Sequence, residues 1–179
     1  MERVKVSQDV LYQFLTEHGI KLVRLAELTG LSEGSINSCF KHQLINNGVP
    51  RSFTKYNVRR LNEAIWRVAD SIRGCVLRFG SEQTFTNQRG ATYDPALVEP
   101  LKRVGEWMNL SALTERVLGW NRSKKDNVLV TKSSKVYGCI SQADVDRVNA
   151  ELLSVAGVLS SYEVVADSCS DSDCQEEDV

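Results

Sequence analysis

The chain has 179 residues, of which 42% are hydrophobic and 25% charged, and a formal net charge of -1. These proportions are those of an ordinary water-soluble globular protein. No apolar run approaches the ~20 residues that a membrane-spanning helix requires. The N-terminal residues 1–5 lack the apolar segment of a signal peptide, so we expect a cytoplasmic protein without a membrane partner.

The charge is unevenly distributed along the chain. Six of the 23 acidic residues lie in the last thirteen positions, which hold no Lys or Arg. The other 17 acidic residues are set against 22 Lys and Arg, so residues 1–166 carry about +5. A basic body is typical of a nucleic-acid binder, and the acidic tail, 167–179, could cover its basic surface or recruit a protein partner. A solvated tail without such a role is the alternative.

The first third of the chain predicts three short helices. Apolar residues three and four positions apart indicate one helix over 8–18, which Gly19 ends, and a second that ends at Gly30. Ser32 is a good N-cap for the third. Two short helices that meet at a glycine turn are typical of a helix-turn-helix. The predicted inner faces comprise Val10, Leu11, Phe14, Leu15, His18, Leu22, Leu25, Ala26, Leu28, Ile36, Cys39 and Phe40.

A long helix is predicted next. Thr54 is its N-cap, and Phe53 is placed to pack back onto the first turns as a hydrophobic staple. The stretch from Cys75 to Tyr93 then alternates apolar and polar residues, which predicts a small β-ribbon. The apolar stripe of the long helix is Val58, Leu61, Ile65, Val68 and Ile72.

Much of this pattern occurs twice. Residues 53–62 recur as 140–149 at an offset of 87, and the match includes an Arg and an Asn that helical periodicity does not require. Residues 28–31 recur as 117–120 at an offset of 89. A duplicated unit is the economical explanation, and a chance likeness between two capped amphipathic helices is the alternative.

The duplication predicts a mainly α protein of two tandem helix-turn-helix units with short β-ribbon elements between and after them. Pro95 and Pro100 bracket the start of the second unit, whose main first helix is predicted to begin near Pro100. The predicted organisation is a first unit at 1–73, a β-ribbon connector at 74–93, a more basic second unit at 94–166 and a disordered acidic tail at 167–179.

Residues 25–37, Leu-Ala-Glu-Leu-Thr-Gly-Leu-Ser-Glu-Gly-Ser-Ile-Asn, resemble the helix-turn-helix of the lambda-repressor/Cro class of DNA-binding proteins. The resemblance covers 8–72, with a divergent second copy at about 97–165. In that copy the small Ala26 is replaced by Arg116 or its neighbour. The resemblance implies that the chain binds double-stranded DNA, as a transcriptional regulator of bacterial, phage or mobile-element type.

In that class the second helix of the motif enters the major groove, where Asn can pair with adenine and Glu can accept from cytosine. Basic residues at 51, 55, 59 and 60 offset the charge of Glu33 if they lie on its side. His42 and Lys41 are placed for backbone contacts. The predicted DNA-binding residues are Ser32, Glu33, Ser35, Asn37, Ser38 and Lys41 in the first unit and Asn121, Arg122, Ser123, Lys124, Lys125, Lys132 and Lys135 in the second.

No arrangement of residues indicates catalysis. The two histidines, His18 and His42, belong to different predicted helices, and a phosphate-binding glycine loop is absent from the sequence. Cys39, Cys75 and Cys139 are predicted to be small buried residues, and Cys169 and Cys174 lack two further metal ligands. We therefore expect neither an enzyme nor a cofactor or metal.

Two other functions remain open at this stage: a protein-interaction module that kept the scaffold, and an accessory module of a DNA-processing system that binds without sequence preference. The oligomeric state, monomer or dimer, is also open.

The charge pattern makes a first prediction. Arg122→Ala with Lys125→Ala should weaken DNA binding more than Ser35→Ala with Asn37→Ala, because cations supply the phosphate contacts. The second pair should instead change the preference between sequences. Fluorescence anisotropy against several labelled duplexes measures both, and equal affinities for all variants would contradict it.

Overall fold

The computed structural model describes residues 2–42, 48, 52–78, 85–86, 92–93, 98–119 and 142–166. This part of the chain is mainly helical. No helix within it is both long and apolar enough to cross a membrane. The helices are α1 (Gln8–Glu17), α2 (Leu22–Thr29), α3 (Glu33–Phe40), α4 (Lys55–Arg73), α5 (Val98–Trp107), α6 (Leu110–Leu113), which continues as a π-helical turn (Thr114–Leu118), and α7 (Gln142–Ser161).

The helix ends in the first half of the chain are set by local interactions, as predicted. Gly19 and Gly30 both adopt positive φ, at 63° and 71°, a region that glycine enters without a Cβ clash. The Ser32 hydroxyl accepts from the backbone N–H of Ser35, and Thr54 caps α4 through the N–H of Asn57. The predicted helix over 8–18, the predicted end of α2 at Gly30 and the predicted N-caps of α3 and α4 are therefore confirmed.

In the second half, α6 and its π-helical turn together are one residue longer than α2, counted to the glycine that follows each. Leu22 and Leu110, which begin α2 and α6, are 88 positions apart, whereas the glycines that end the two segments, Gly30 and Gly119, are 89 apart. The π-helical turn accommodates the added residue, because each of its hydrogen-bonded rings holds one residue more than an α turn. Gly119 has the same left-handed backbone as Gly30, with φ 67°.

The small residue of α2 also has a counterpart. Ala26 is buried, and Thr114, 88 positions later, is 3% exposed and donates its hydroxyl to the carbonyl of Leu110. The interpretation that Arg116 or its neighbour replaces Ala26 was therefore wrong for Arg116. The arginine is exposed and points to the first half, where it donates to the carbonyl of Glu17.

Two short sheets complete the fold. Strand β1 (Val4–Val6) pairs in parallel with β4 (Tyr162–Val164), so the two ends of the described chain lie side by side. Strands β2 (Phe85–Thr86) and β3 (Thr92–Tyr93) pair antiparallel, which confirms the predicted ribbon for those residues.

The buried side chains of both halves form one continuous core. Its centre is the packing of α4 against α7, which follows from the apolar stripe on each helix. All five predicted stripe residues of α4 are buried, and so are Cys39 and Cys75. Val10 was placed on the inner face of α1 and is instead 43% exposed. Trp66 and Trp107 are half-buried against it.

Two asparagines exchange hydrogen bonds between the halves. Asn62 of α4 donates to the carbonyl of Val164 (2.9 Å) and accepts from its N–H (2.7 Å). Asn149 of α7 donates to the carbonyl of Leu77 (2.8 Å) and accepts from its N–H (2.7 Å). Asn149 lies 87 positions after Asn62, and Val164 lies 87 positions after Leu77. In one pair the asparagine belongs to the first half, and in the other it belongs to the second half. These were the repeated asparagines of the sequence motif.

A second exchange joins the loops that follow α1 and α5. Ile20 and Met108, 88 positions apart, form an isolated antiparallel bridge. Lys21 donates its N–H to the carbonyl of Trp107 (2.9 Å), and Asn109 donates to Gly19 (2.8 Å). The two donors, Lys21 and Asn109, are 88 positions apart, and so are the two acceptors, Gly19 and Trp107. Each bond is therefore the counterpart of the other.

The exchanged asparagines generate a stability prediction. Asn62→Ala should lower the free energy of unfolding by about 2–4 kcal/mol, because it leaves a buried N–H and a buried carbonyl of Val164 without partners. Asn149→Ala should cost less, since Asn149 is half-buried and water can reach its partner more easily. Chemical denaturation of the parent, Asn62→Ala and Asn149→Ala measures the three free energies of unfolding.

The matched control is Asn57→Ala in the first turn of α4, which leaves the exchange untouched and should cost about 0.5 kcal/mol or less. Equal costs for Asn57→Ala and Asn62→Ala would show that the exchange does not stabilise the fold.

Candidate nucleic-acid interface

The third helix is held with its inner face in the core and its N-terminal end at the surface. Gly30 ends α2 and turns the chain, and Ser32 starts α3. Ile36 and Phe40 are 0% and 2% exposed, so they fix the rotation of α3 about its axis. Ser32 and Glu33 are exposed at its N-terminal end. This is the placement that a groove-reading helix requires.

The predicted reading residues of α3 fall into two groups. Glu33, Asn37 and Lys41 are spaced four apart and share one face, on which Glu33 and Lys41 are exposed and Asn37 half-buried. Ser35 and Ser38 are half-buried. The Ser32 hydroxyl both caps α3 and donates to the hydroxyl of Ser35 (2.9 Å). Ser32 therefore has a structural role besides any contact with DNA.

The predicted residues of the second half, Asn121, Arg122, Ser123, Lys124, Lys125, Lys132 and Lys135, lie outside the described residues. Gly119 is the last residue described before them.

A cation and an aromatic ring lie beside the turn between α2 and α3. The guanidinium of Arg60 lies against Gly30, so that a Cβ on that glycine would lie 2.5 Å from the Arg60 Nη2. The guanidinium carbon is also 5.4 Å from the ring centroid of Tyr56, which is 68% exposed. The sequence left open which side Arg60 faces, and the structure places it against Gly30, in the turn that precedes the predicted reading helix.

The remaining basic residues at the start of α4 lie on another side of the helix. Arg59 pairs with Glu63 at 3.6 Å. Together with Lys55, these residues line a shallow groove of about 400 Å³ that is closed on its far side by 163–166. Arg60 and Tyr56 are not among its lining residues. The basic residues of α4 are therefore divided between two surfaces. Arg51 lies outside the described residues.

His42, which the sequence analysis places for a DNA-backbone contact, is bonded to the first helix. Its Nε2 lies 2.7 Å from the Asp9 carboxylate, and its Nδ1 lies 3.4 Å from the side-chain nitrogen of Gln8. Gln8 in turn donates to the carbonyl of Cys39 (2.8 Å). His42 thus ties the end of α3 to the start of α1, and Asp9 occupies the ring nitrogen that would otherwise be available.

Tyr56 was missed by the sequence interpretation. Tyr56 belongs to no recognisable motif. The one indication in the sequence was that it lies four residues before Arg60 on the same predicted helix, a spacing at which two side chains are neighbours. The aromatic side chain of an exposed tyrosine is a large apolar surface with a polar end, suited to contact with sugar and phosphate.

In the described part of the chain, no three His, Cys, Asp or Glu side chains gather as a metal site would need. Burial raises the pKa of the Cys75 thiol, an effect that the nearby Arg103 opposes. A thiol that remains protonated is a poor nucleophile.

Comparison of the chain with protein-family models, with curated proteins and with solved structures found no match.

The double role of Ser32 makes a prediction. Ser32→Ala should lower the free energy of unfolding by about 1 kcal/mol, because the backbone N–H of Ser35 loses its cap. Ser32→Asp, which retains a capping oxygen, should stay within a few tenths of a kcal/mol of the parent, and so should Ser35→Ala. Thermal or urea unfolding measures this. If Ser32→Ala and Ser32→Asp are equally stable, the capping role is wrong.

Proposed function

We propose that this chain is a DNA-binding regulatory protein built from two diverged copies of one helix-turn-helix unit. The observation that carries the proposal is the surface at the start of α3, where an exposed helix end lies beside the Arg60 guanidinium and the Tyr56 ring. The exchanged contacts at offsets of 87 and 88 support the duplication.

In this proposal α3 enters the major groove with its N-terminal end first. Glu33 accepts from the amino group of a cytosine, and Asn37 pairs with an adenine, as these side chains do in groove recognition. Lys41, at the far end of α3, contacts a phosphate of the backbone. These contacts use the one face that the three residues share.

Arg60 supplies the charge that this surface otherwise lacks. Glu33 repels phosphate, and the cation at the adjacent Gly30 turn offsets that repulsion where the helix meets the DNA backbone. Tyr56, against which Arg60 lies, packs on the neighbouring sugar. Phosphate contacts of this type fix the position of a reading helix, whereas the base contacts select the sequence.

The proposal is tested with Arg60→Ala and a matched control, Arg59→Ala. Both variants remove one arginine from α4, but Arg59 lies on the other side of the helix and pairs with Glu63. Arg60→Ala should weaken binding to a random-sequence duplex about three- to tenfold at low salt and reduce the salt slope by about one unit. Arg59→Ala should change both much less.

Fluorescence anisotropy at several salt concentrations measures the affinities. Absence of binding by the parent chain at low salt would rule out the DNA-binding proposal and favour a protein-interaction module. Equal losses in the two variants would show that general charge, and not the α3 surface, holds the DNA.

A further inference from the structure

We infer that the backbone of residues 76–78, beside α7, takes an extended segment of a partner protein as an added parallel strand. This backbone and the side chain of Leu153 together form what we call the docking edge. The inference follows from a comparison of two corresponding places in the fold, one beside α4 and one beside α7. It concerns a protein partner and goes beyond the proposed DNA binding.

The segment beside α7 corresponds to strand β4 beside α4. Asn62 bonds the N–H and the carbonyl of Val164, and Asn149 bonds the same two groups of Leu77. Alternate residues of an extended chain direct these groups to opposite sides. The residues before and after Val164 and Leu77 therefore direct their backbone groups away from the helix, so each segment has a second edge.

In the described part of the chain, this second edge is covered beside α4 but not beside α7. Beside α4, β1 pairs with β4 in parallel, and the N–H of Val165 donates to the carbonyl of Val6 at 3.0 Å. Residues 76–78 belong to no strand, and the backbone N–H groups of Val76 and Arg78 have no partner within the described residues. An unpaired backbone edge is a template for an added strand.

The adjoining helix faces differ in the same way. Trp66 of α4 is half-buried, since its indole donates to the carbonyl of Tyr162 and the Arg3 guanidinium lies 3.7 Å from its ring centroid. Leu153, which lies 87 positions after Trp66 on α7, is 48% exposed. A Cβ on Gly157, one turn later, would meet no atom within 4 Å. Leu153 is thus an open apolar residue at the position that is covered beside α4.

The side chains of the docking edge indicate the chemistry of the segment. In the β1–β4 pair, Lys5 lies opposite Glu163, which places opposite charges across from each other. In the docking edge, 87 positions earlier, Val76 holds the place of Glu163 and the exposed Arg78 that of Val165. A complementary segment has an apolar residue opposite Val76 and Asp or Glu opposite Arg78.

The whole segment then has the order apolar, β-branched, apolar, β-branched, acidic. Its first residue covers Leu153 as Arg3 covers Trp66, and β-branched residues favour the extended backbone. Main-chain hydrogen bonds supply the affinity in such a strand addition, and the side chains supply the specificity. Strand β1 of a second copy does not fit, because it is already paired and has Lys5 at an apolar position.

The test uses the full chain and a fluorescein-labelled peptide, Ser-Leu-Val-Ile-Val-Glu-Ser, as the probe. Its control is the same peptide N-methylated at both valines, which retains the side chains but lacks the N–H groups that a strand donates. Fluorescence anisotropy should show binding of the probe and at least about tenfold weaker binding of the control. Amide exchange measured by NMR should show the N–H groups of Val76 and Arg78 becoming protected when the probe binds.

Three variants separate the docking edge from the rest of the surface. Leu153→Glu should weaken probe binding at least about tenfold, because an apolar contact is lost. Val10→Glu, at a residue of α1 that is 43% exposed, should leave the affinity unchanged. Arg78→Glu should reverse the charge preference, so that a probe with Lys in place of its Glu binds more tightly than the original.

Absence of probe binding, equal binding of the methylated peptide, or equal losses for Leu153→Glu and Val10→Glu would each overturn the inference. Protection of the Val76 and Arg78 amides without any peptide would also overturn it, by showing that the chain itself covers the edge. Self-association that Leu153→Glu abolishes would do so as well, with a second copy as the occupant. DNA is absent from these measurements, so their outcome is separate from that of the proposed function.

Discussion

The packing of α4 against α7 is the interaction on which the rest of the structure depends. Each helix alone exposes an apolar stripe about five turns long, and each stripe is covered by the other helix and by the short helices of its own half. A helix of this kind gains most of its stability from burial of that stripe. The two halves therefore have one core in common, and neither completes its own without the other.

Polar groups that are buried between the two halves must be hydrogen-bonded. Asn62 is only 7% exposed, and a buried amide is costly unless it is hydrogen-bonded. It is satisfied by the backbone N–H and carbonyl of Val164 in β4. The indole N–H of Trp66 also donates a hydrogen bond to the carbonyl of Tyr162, at 2.8 Å. In this way α4 completes the hydrogen bonds of β4 while β1 pairs on its other edge.

The candidate interface is a consequence of this packing. Because the buried stripe sets the rotation of α4, Arg60 and Tyr56 lie toward the Gly30 turn, and Arg59 and Lys55 lie toward the groove closed by 163–166. Neighbouring residues of one helix thereby have separate surroundings. In the proposed function, the charge that matters is the charge on the surface that DNA would touch, and on the surface near the start of α3 that charge comes from Arg60 of α4.

The sequence by itself determined the helices of the first half and their caps. Ser32, Thr54 and Gly30 act on residues within four positions of themselves, so their effects are visible in a short stretch of sequence. The tertiary structure alone decided that Asn62 bonds to a strand 102 positions away, that His42 pairs with Asp9, and which side Arg60 faces. Such contacts depend on how whole helices pack, and periodicity records which residues are buried but not the neighbours they meet.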